Sequence, residues 1–592
     1  MTNANQLSTS IILEDGQVAR NQNNIVAPVG QPAVDIQGSN VRFQNVADIS
    51  APDAGNTAVQ SLGDNVTIAN AGSIFGENNG IDSDGNNFTL SNRGSITSNS
   101  RAVQIDDGDG VNFVNTGSIT GTGDQRNGTV YLDGSVDNAN IINRRSGIID
   151  AGEGNSGDGL SIQVGIADED ALNQNINVVN RGAILGRGEA EFSPEEGRLT
   201  ANGSSGVRFF NGSDAPEATI TGSFTNNSLI SAEVDTGFLG GFVSEDGVAI
   251  NGQINNRGLI TAPRNGLYIG DAQHNLTINN AGRIESGSRA VNLDGDNIIF
   301  NNRGEVAGIG DQRNGTLYVD GTGDAITINN QNQGVIDAGE GNSGSGVSLQ
   351  IGTANGIEEG IDDLETSVDI ANQGVIQGRG TENTPAGLRL FVGDGLTAST
   401  FTGDIANSGV IASETDAGIL IESDITFNGA IVNNGNGVIN GGNGFAIDAD
   451  GALGNINVTN SGTIEGEVRL GAGDDLFVQN SNQGVIVGGG AGNDALTGGG
   501  AADVLTGGTG NDVLTGRGAA DTFSFDIGFG ADTITDFETI DTLDFSAYGV
   551  DANQILGAAT QDGANTFIDL GGDSLALENF AVEDLTADNI FL

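Results

Sequence analysis

Apolar and polar residues alternate in short stretches along most of the chain, as in Phe88-Thr-Leu-Ser-Asn92, Leu276-Thr-Ile-Asn-Asn280 and Ile456-Asn-Val-Thr-Asn460. Alternation with period two predicts β-strands with one buried face. Each stretch runs into a recurring phrase, Asn-x-Gly-x-(Ile/Val), beginning at Asn70, Asn92, Asn115, Asn180, Asn256, Asn280, Asn302, Asn332, Asn372, Asn407, Asn460 and Asn482. Weaker copies begin at Asn45, Arg145, Asn226 and Gly435. Most copies lie 22 to 30 residues apart, the length of one solenoid coil, and longer gaps mark inserted loops. A single coil is too thin to bury its own apolar face, so coils must stack, about 4.8 Å apart. Ile and Val then fill the interior. Gly is expected to supply unusual backbone angles at the corner, and Asn to tolerate left-handed geometry and hydrogen-bond to its copy in the next coil. About sixteen such coils would span on the order of 75 Å. Right-handed winding is the default for parallel strands joined by crossovers.

A longer period lies above this one. Gly-Asp-Gln-Arg-Asn-Gly-Thr occupies 123–129 and 310–316, and Asp-Ala-Gly-Glu-Gly-Asn-Ser-Gly occupies 150–157 and 337–344, both pairs 187 residues apart. Gly206-Val-Arg-Phe-Phe likewise answers Gly387-Leu-Arg-Leu-Phe. A block of coils, about 79–250 and 265–430, is therefore duplicated. The text resembles the parallel β-helix stalks of bacterial autotransporter passengers and adhesins, a resemblance that implies an architecture and no activity.

From Gly489 the period falls to nine: Gly-Gly-Ala-Gly-Asn-Asp-Ala-Leu-Thr (489–497), Gly-Gly-Gly-Ala-Ala-Asp-Val-Leu-Thr (498–506), Gly-Gly-Thr-Gly-Asn-Asp-Val-Leu-Thr (507–515) and Gly-Arg-Gly-Ala-Ala-Asp-Thr-Phe-Ser (516–524). This resembles the calcium-binding nonapeptide of the RTX family. The resemblance implies a parallel β-roll with two nonapeptides per coil and Ca2+ held between turns on one flank. Gly489, Gly490, Gly492, Asp494, Gly507, Gly508, Gly510 and Asp512 form the expected first flank, and Asp503 and Asp521 the second. The second flank departs from the pattern, with Ala501 and Ala519 in place of Gly and Arg517 in place of another. Gly471-Ala-Gly-Asp-Asp-Leu-Phe477 reads as an outlying turn on the same axis. The remaining text, through Leu575-Ala-Leu-Glu-Asn-Phe to Ala587-Asp-Asn-Ile-Phe-Leu592, resembles the tail and uncleaved C-terminal signal of type I secreted proteins. That implies a type I secretion transporter as partner and a secreted or cell-surface location.

The predicted fold is all-β. Residues 1–40 are a cap or extended arm, 41–487 a parallel β-helix, 488–524 the calcium-binding β-roll, and 525–592 a C-terminal cap and secretion signal.

Charge sharpens this picture. The 592 residues hold 78 acids against 21 basic residues, all of them Arg, for a net charge of −57. Such a field repels nucleic acid and draws in divalent cations. The last 105 residues alone hold 18 acids and one Arg. Without calcium, stacked Asp turns should repel, so this tail is expected to fold only at extracellular calcium, roughly 10⁻⁴–10⁻³ M. Cys is absent, which excludes disulfides and thiolate metal sites. Residues 1–25 carry no basic and apolar leader pattern, and no run reaches the roughly 18 apolar residues of a membrane helix.

Three other features invite chemistry. Arg126 and Arg313, near Tyr131 and Tyr318, have the groups to bind glycan or a second copy, or else are turn residues inherited with the duplication. Asp150, Glu153, Asp337 and Glu340 are either accessory cation ligands or solvated turn carboxylates. His274, the single histidine, reads as a turn residue without chemistry. The expected function is a non-enzymatic structural or adhesive surface protein: a surface layer, fibre or adhesin. The alternative is a polysaccharide-binding or lyase/epimerase-like β-helix, for which no Lys, no Trp and four Tyr make a poor catalytic inventory.

Overall fold

The computed structural model describes residues 6, 7 and 9–592, except 122–127, 153–156, 166–172, 188–190, 194–197, 201–203, 212–217, 234–239, 309–314, 322–323, 340–343, 353–364, 382–383 and 394–398. The chain divides into two compact units, Met1–Gly310 and Asp311–Leu592. Both are parallel β-solenoids.

In the first unit each coil carries three short strands. One coil runs through Thr89–Asn92, Ser95–Ser98 and Val103–Ile105, the next through Asn112–Asn115, Ser118–Gly121 and Val130–Leu132. These strands pair in parallel with their copies, Leu90 on Phe113, Ile96 on Ile119 and Val103 on Val130. These inward residues are all but fully buried, which is how so thin a cross-section obtains a core. The stack includes the stretch expected as a cap or arm: Ile11–Leu13 pairs with Val34–Ile36, and Val18–Asn21 with Arg42–Asn45. Residues 11–36 are thus coils, unread in the sequence because their corners lack the Asn-x-Gly phrase.

A buried ladder of amides runs along one corner. The Nδ2 of Asn70 donates to Asn92 Oδ1 at 2.8 Å, Asn92 to Asn115 at 2.9 Å, and Asn115 to Asn143 at 3.0 Å. It continues through Asn180, Asn226, Asn256, Asn280 and Asn302. None of these has positive φ; the left-handed asparagines of this unit form other columns, among them Asn40, Asn65, Asn87 and Asn138. The phrase glycines are not left-handed either. Their need is steric: a Cβ on Gly117 would lie 1.9 Å from the Gly94 carbonyl oxygen, and one on Gly94 1.9 Å from that of Gly72. The corner is tight because successive coils touch backbone to backbone.

The second unit repeats the ladder through Asn330, Asn372, Asn407, Asn433 and Asn460, and ends it on Gln479. Asn330 carries it, where the phrase pointed to Asn332. Likewise Asn143 and Asn433 stand two residues ahead of the weak copies at Arg145 and Gly435. At these corners the Gly follows the Asn by four residues, as Gly147 follows Asn143. Val438–Asp448 then pairs with both Val410–Ser413 and Ile419–Ile421, merging two strands of the coil. Beyond it the coil has two strands. Leu476–Gln479, Ala495–Thr497 and Val513–Thr515 stack on one side, Ile486–Ala491, Val504–Thr509 and Thr522–Ser524 on the other. Leu496, Leu505, Leu514 and Phe523 fill the interior. Two further coil strands, Ala531–Ile534 and Thr542–Asp544, continue the stacks. A helix, Ala552–Ala558, and an antiparallel sheet of Ala559–Asp562, Asn565–Asp569 and Ser574–Leu577 close the end.

Candidate metal centre

The two-strand coil leaves room for a Gly-rich turn on each flank. On the first flank the turns end at Asp475, Asp494, Asp512 and Asp532, and the structure stacks them in one column. The N–H of Asp475 donates to Asp494 Oδ1 at 2.8 Å, that of Asp494 to Asp512 Oδ1 at 2.8 Å, and that of Asp512 to Asp532 Oδ1 at 2.9 Å. Each aspartate therefore spends one oxygen on the preceding coil. The other, Oδ2, is buried without a partner in all four. The four residues are at most 2% exposed.

The glycines are what make the cradle. A Cβ on Gly489 would lie 2.3 Å from Asp494 Oδ2, and one on Gly507 2.1 Å from Asp512 Oδ2. Gly490, Gly492, Gly508 and Gly510 adopt φ of 108°, 134°, 110° and 147°, open to glycine and costly for other residues. They also allow close stacking, since a Cβ on Gly510 would meet the Gly492 carbonyl oxygen at 1.7 Å. Burial pushes the Asp494 carboxyl up to about 7, with the charges of Asp512 and Asp475 adding to the rise. Burial likewise pushes Asp532 up to about 8 and Asp475 to about 6, and raises Asp512. A buried, unpartnered carboxylate oxygen costs free energy until something positive meets it. Four in line, beside backbone carbonyls and without a nitrogen ligand, suit a hard cation that takes six to eight oxygens, and Ca2+ is that cation.

The second flank is built differently. Asp503 and Asp521 stack through Asp503 N–H to Asp521 Oδ1 at 2.8 Å, and Asp521 N–H reaches Asp541 Oδ1 at 2.9 Å. Here backbone amides take up second oxygens: Gly499 N–H donates to Asp503 Oδ2 at 2.6 Å, and Glu538 N–H to Asp541 Oδ2 at 2.7 Å. Burial pushes Asp521 up to about 7 and raises Asp503, which Arg517 opposes. Arg517 and Ala519 sit at φ of 73° and 96°, where the pattern supplies Gly. The Arg517 guanidinium donates to the Gln479 carbonyl, bringing a fixed positive charge to this flank. Asp532 and Asp541 were not singled out as site residues from the sequence. Their signal is a shortened text, Gly530-Ala-Asp532 and Asp541-Thr-Leu543, at a spacing of 20 from Asp512 and Asp521.

Other expected residues fall elsewhere. Arg126, Arg313, Glu153 and Glu340 lie outside the described residues. Tyr131 is buried beneath Arg101, whose guanidinium carbon is 4.3 Å from the ring centre, and its hydroxyl donates to Gln163 Oε1 at 2.7 Å. Tyr318 does the same to Gln350 Oε1 at 2.5 Å. Phe210 and Phe391 lie 6.5 Å from these tyrosines, each with an arginine over its ring, Arg208 at 4.6 Å and Arg389 at 4.4 Å. The duplicated Arg-x-Phe text was the available signal for both. Asp150 and Asp337 are held by Arg187 at 2.8 Å and Arg379 at 2.6 Å, so their charges are already met. His274 is in a strand, not a turn. It is 3% exposed, its Nδ1 accepts the Ile250 N–H at 2.9 Å, and its Nε2 faces the Gly270 carbonyl at 3.0 Å. Burial lowers its pKa. Among the described residues Asp82, Asp84 and Asp106 also bring one oxygen each within 4.8 Å of one another.

No curated protein matches the chain. The profile of one family, the RTX calcium-binding nonapeptide repeat in four copies, matches residues 488–523. That span begins one residue before Gly489 and takes in Asp494, Asp503, Asp512 and Asp521. Residues 488–523 are RTX nonapeptide repeats folded as a parallel β-roll, and their cofactor is Ca2+.

Proposed function

We propose that this is a secreted structural or adhesive protein of a cell surface or extracellular matrix, whose solenoid is locked at its C-terminal end by calcium. RTX repeats point to a secreted calcium-binding protein. One observation carries the reading: in the first-flank column every carboxylate has an oxygen buried without a partner. Asp494 and Asp512, with Gly489, Gly490, Gly492, Gly507, Gly508 and Gly510, would hold the ion between their turns. When bound, Ca2+ supplies the positive charge that these oxygens lack. The protein's own part is to pre-order the turns through the Oδ1 bonds and to exclude water from Oδ2. Asp503 and Asp521 offer a weaker second flank, because Asp503 has both oxygens hydrogen-bonded and Arg517 stands nearby.

This couples folding to location. Where calcium is scarce, the roll holds buried charge with nothing to offset it; at extracellular calcium, binding becomes folding free energy. An uncleaved C-terminal signal within 525–592, read by a type I transporter, fits that order of events. The test is to locate the protein on cells with and without a chelator. Calcium-dependent retention at the surface is expected, and protein that stays in the cytoplasm or ignores chelation overturns the proposal.

Glycan binding without catalysis is a second reading, favoured by the duplicated platforms. Tyr131, Gln163, Arg208 and Phe210 reappear as Tyr318, Gln350, Arg389 and Phe391, while inward neighbours have drifted, Val130 to Leu317, Leu160 to Val347 and Phe209 to Leu390. Tyr131 and Tyr318 are buried, but the half-exposed Gln163, Arg208 and Phe210 stay identical in their copies while the core changes, which suggests a contact made outside the fold. Glycan-array binding lost in Arg208→Ala/Arg389→Ala would support it, and unchanged binding would remove it.

A further inference from the structure

The nonapeptide match supplies both walls of only one inter-turn space on the first flank, the one between the turns ending at Asp494 and Asp512. The column is longer than the match. Below it stands the turn Gly471-Ala-Gly-Asp-Asp475, and above it Gly528-Phe-Gly-Ala-Asp532, neither within a nonapeptide. Both keep the second left-handed glycine of the matched turns, while Leu470 and Ile527 stand where those turns have Gly489 and Gly507. Gly473 has φ of 142°, beside 134° and 147° at Gly492 and Gly510, and Gly530 has 96°. A Cβ on Gly492 would lie 2.0 Å from the Gly473 carbonyl oxygen, and one on Gly530 1.9 Å from that of Gly510. The turns are therefore seated on one another as closely outside the match as within it.

The same holds for the acid groups. Asp475 and Asp532 are each 2% exposed, each gives Oδ1 to a backbone N–H of the preceding coil, and each keeps Oδ2 buried and unpartnered. Water is shut out of both atoms; no protein donor reaches Asp532 Oδ2, and only the Gly471 N–H bears on the Asp475 carboxylate from its own turn. The column stops below Asp475 for a visible reason. The turn beneath it ends in Asn455-Ile456, and the Ile456 N–H donates to Asp475 Oδ1 at 2.6 Å, so that coil contributes no carboxylate.

From this we infer that the first flank holds three divalent ions, not one. The two outer spaces, between the turns of Asp475 and Asp494 and between those of Asp512 and Asp532, are calcium sites that use residues outside the nonapeptides. The inference rests on the reading that calcium sits between Asp494 and Asp512. Its consequence is mechanical. The lower ion ties the coil of Leu476–Gln479 to the roll, and the upper ion ties the roll to the coil of Ala531–Ile534, which pairs with the terminal sheet strand Ser574–Leu577. Calcium then clamps solenoid, roll and cap as one stack.

The test counts ions. The full chain is equilibrated with millimolar calcium, desalted, and its bound calcium measured per chain by plasma mass spectrometry. Asp475→Asn and Asp532→Asn keep the shape and the Oδ1 acceptor while removing the charge, and circular dichroism checks their fold. Each variant should lose one ion per chain relative to the unmutated protein, and the double variant two. Calcium-induced protection from hydrogen exchange over 463–479 should also vanish in Asp475→Asn and persist in Asp532→Asn. A count equal to that of the unmutated protein in either variant overturns the inference. The underlying reading fails separately, if Asp494→Asn/Asp512→Asn binds as many ions as the unmutated chain.

Discussion

Acid should do for the metal-free roll part of what calcium does. In the folded roll the Asp494 carboxyl stands near 7 and that of Asp532 near 8, against an ordinary value of 3.8, chiefly through burial. A carboxyl raised by folding favours the folded state while protonated, and that contribution is lost as pH rises through the folded value. Between pH 8 and pH 5 Asp494 crosses about two pH units below its folded pKa. At about 1.4 kcal/mol per unit this is about 3 kcal/mol, with about 4 kcal/mol by the same arithmetic for Asp532. The two share neighbours in one column and titrate together, so their sum overstates the effect, and about 3 kcal/mol is the working figure. The assay is hydrogen exchange on peptides within 488–545 of the chelator-treated full chain, corrected for the intrinsic pH dependence of exchange. Protection should rise about a hundredfold from pH 8 to pH 5. With saturating calcium the trend should reverse, because the bound ion favours ionised carboxylates. The triple variant Asp494→Asn/Asp512→Asn/Asp532→Asn should keep only the smaller rise that the remaining raised carboxyls, Asp521 foremost, supply. Metal-free protection that is flat or falls on acidification would refute the account of the column.

Gly507→Ala places a Cβ 2.1 Å from Asp512 Oδ2 and should weaken calcium binding at least tenfold by calorimetry, leaving the Asn ladder intact. Ala519→Gly relieves a non-glycine residue at φ of 96° and should raise roll stability by about 1 kcal/mol, read as a higher urea midpoint. Asn256→Ala leaves Asn280 Oδ1 and the Gly258 N–H without their partner, while Asn226 Nδ2 keeps the Ser228 and Leu259 carbonyls. At about 1–3 kcal/mol for each buried group left unmet, it should cost roughly 2–5 kcal/mol in chemical denaturation. His274, its pKa lowered by burial, should stay a neutral imidazole to lower pH than an exposed histidine does, read by nitrogen-15 NMR in a spectrum that a single histidine makes unambiguous.

Much of the fold was legible because a solenoid repeats its contacts. The same residue types meet the same neighbours in every coil, so the Asn phrase, the alternating strands and the nonapeptides each describe one contact many times over. What misled was local. The phrase glycines suggested special backbone angles, whereas Gly94 and Gly117 need only the absence of a Cβ against the next coil. The phrase at Asn332 placed the amide two residues late, since a corner with the Gly four residues on still presents Asn330 to Asn372. Residues 11–36 kept the strand pattern and lost the corner text, so they read as an arm.

The sequence by itself determined that the chain is a stack of coils ending in a calcium-binding roll, and that two flanks would face opposite ways with unequal turns. Periodicity suffices for that, because register along a stack follows from period alone. The tertiary structure alone decided which oxygen of each aspartate is spent and which is stranded. It alone extended the column to Asp475 and Asp532, met Asp150 with Arg187, and set Arg208 and Phe210 beside Tyr131. Those facts depend on residues brought together across inserted loops of unequal length. Distances of that kind are fixed by how coils seat on one another, and no count of residues records them.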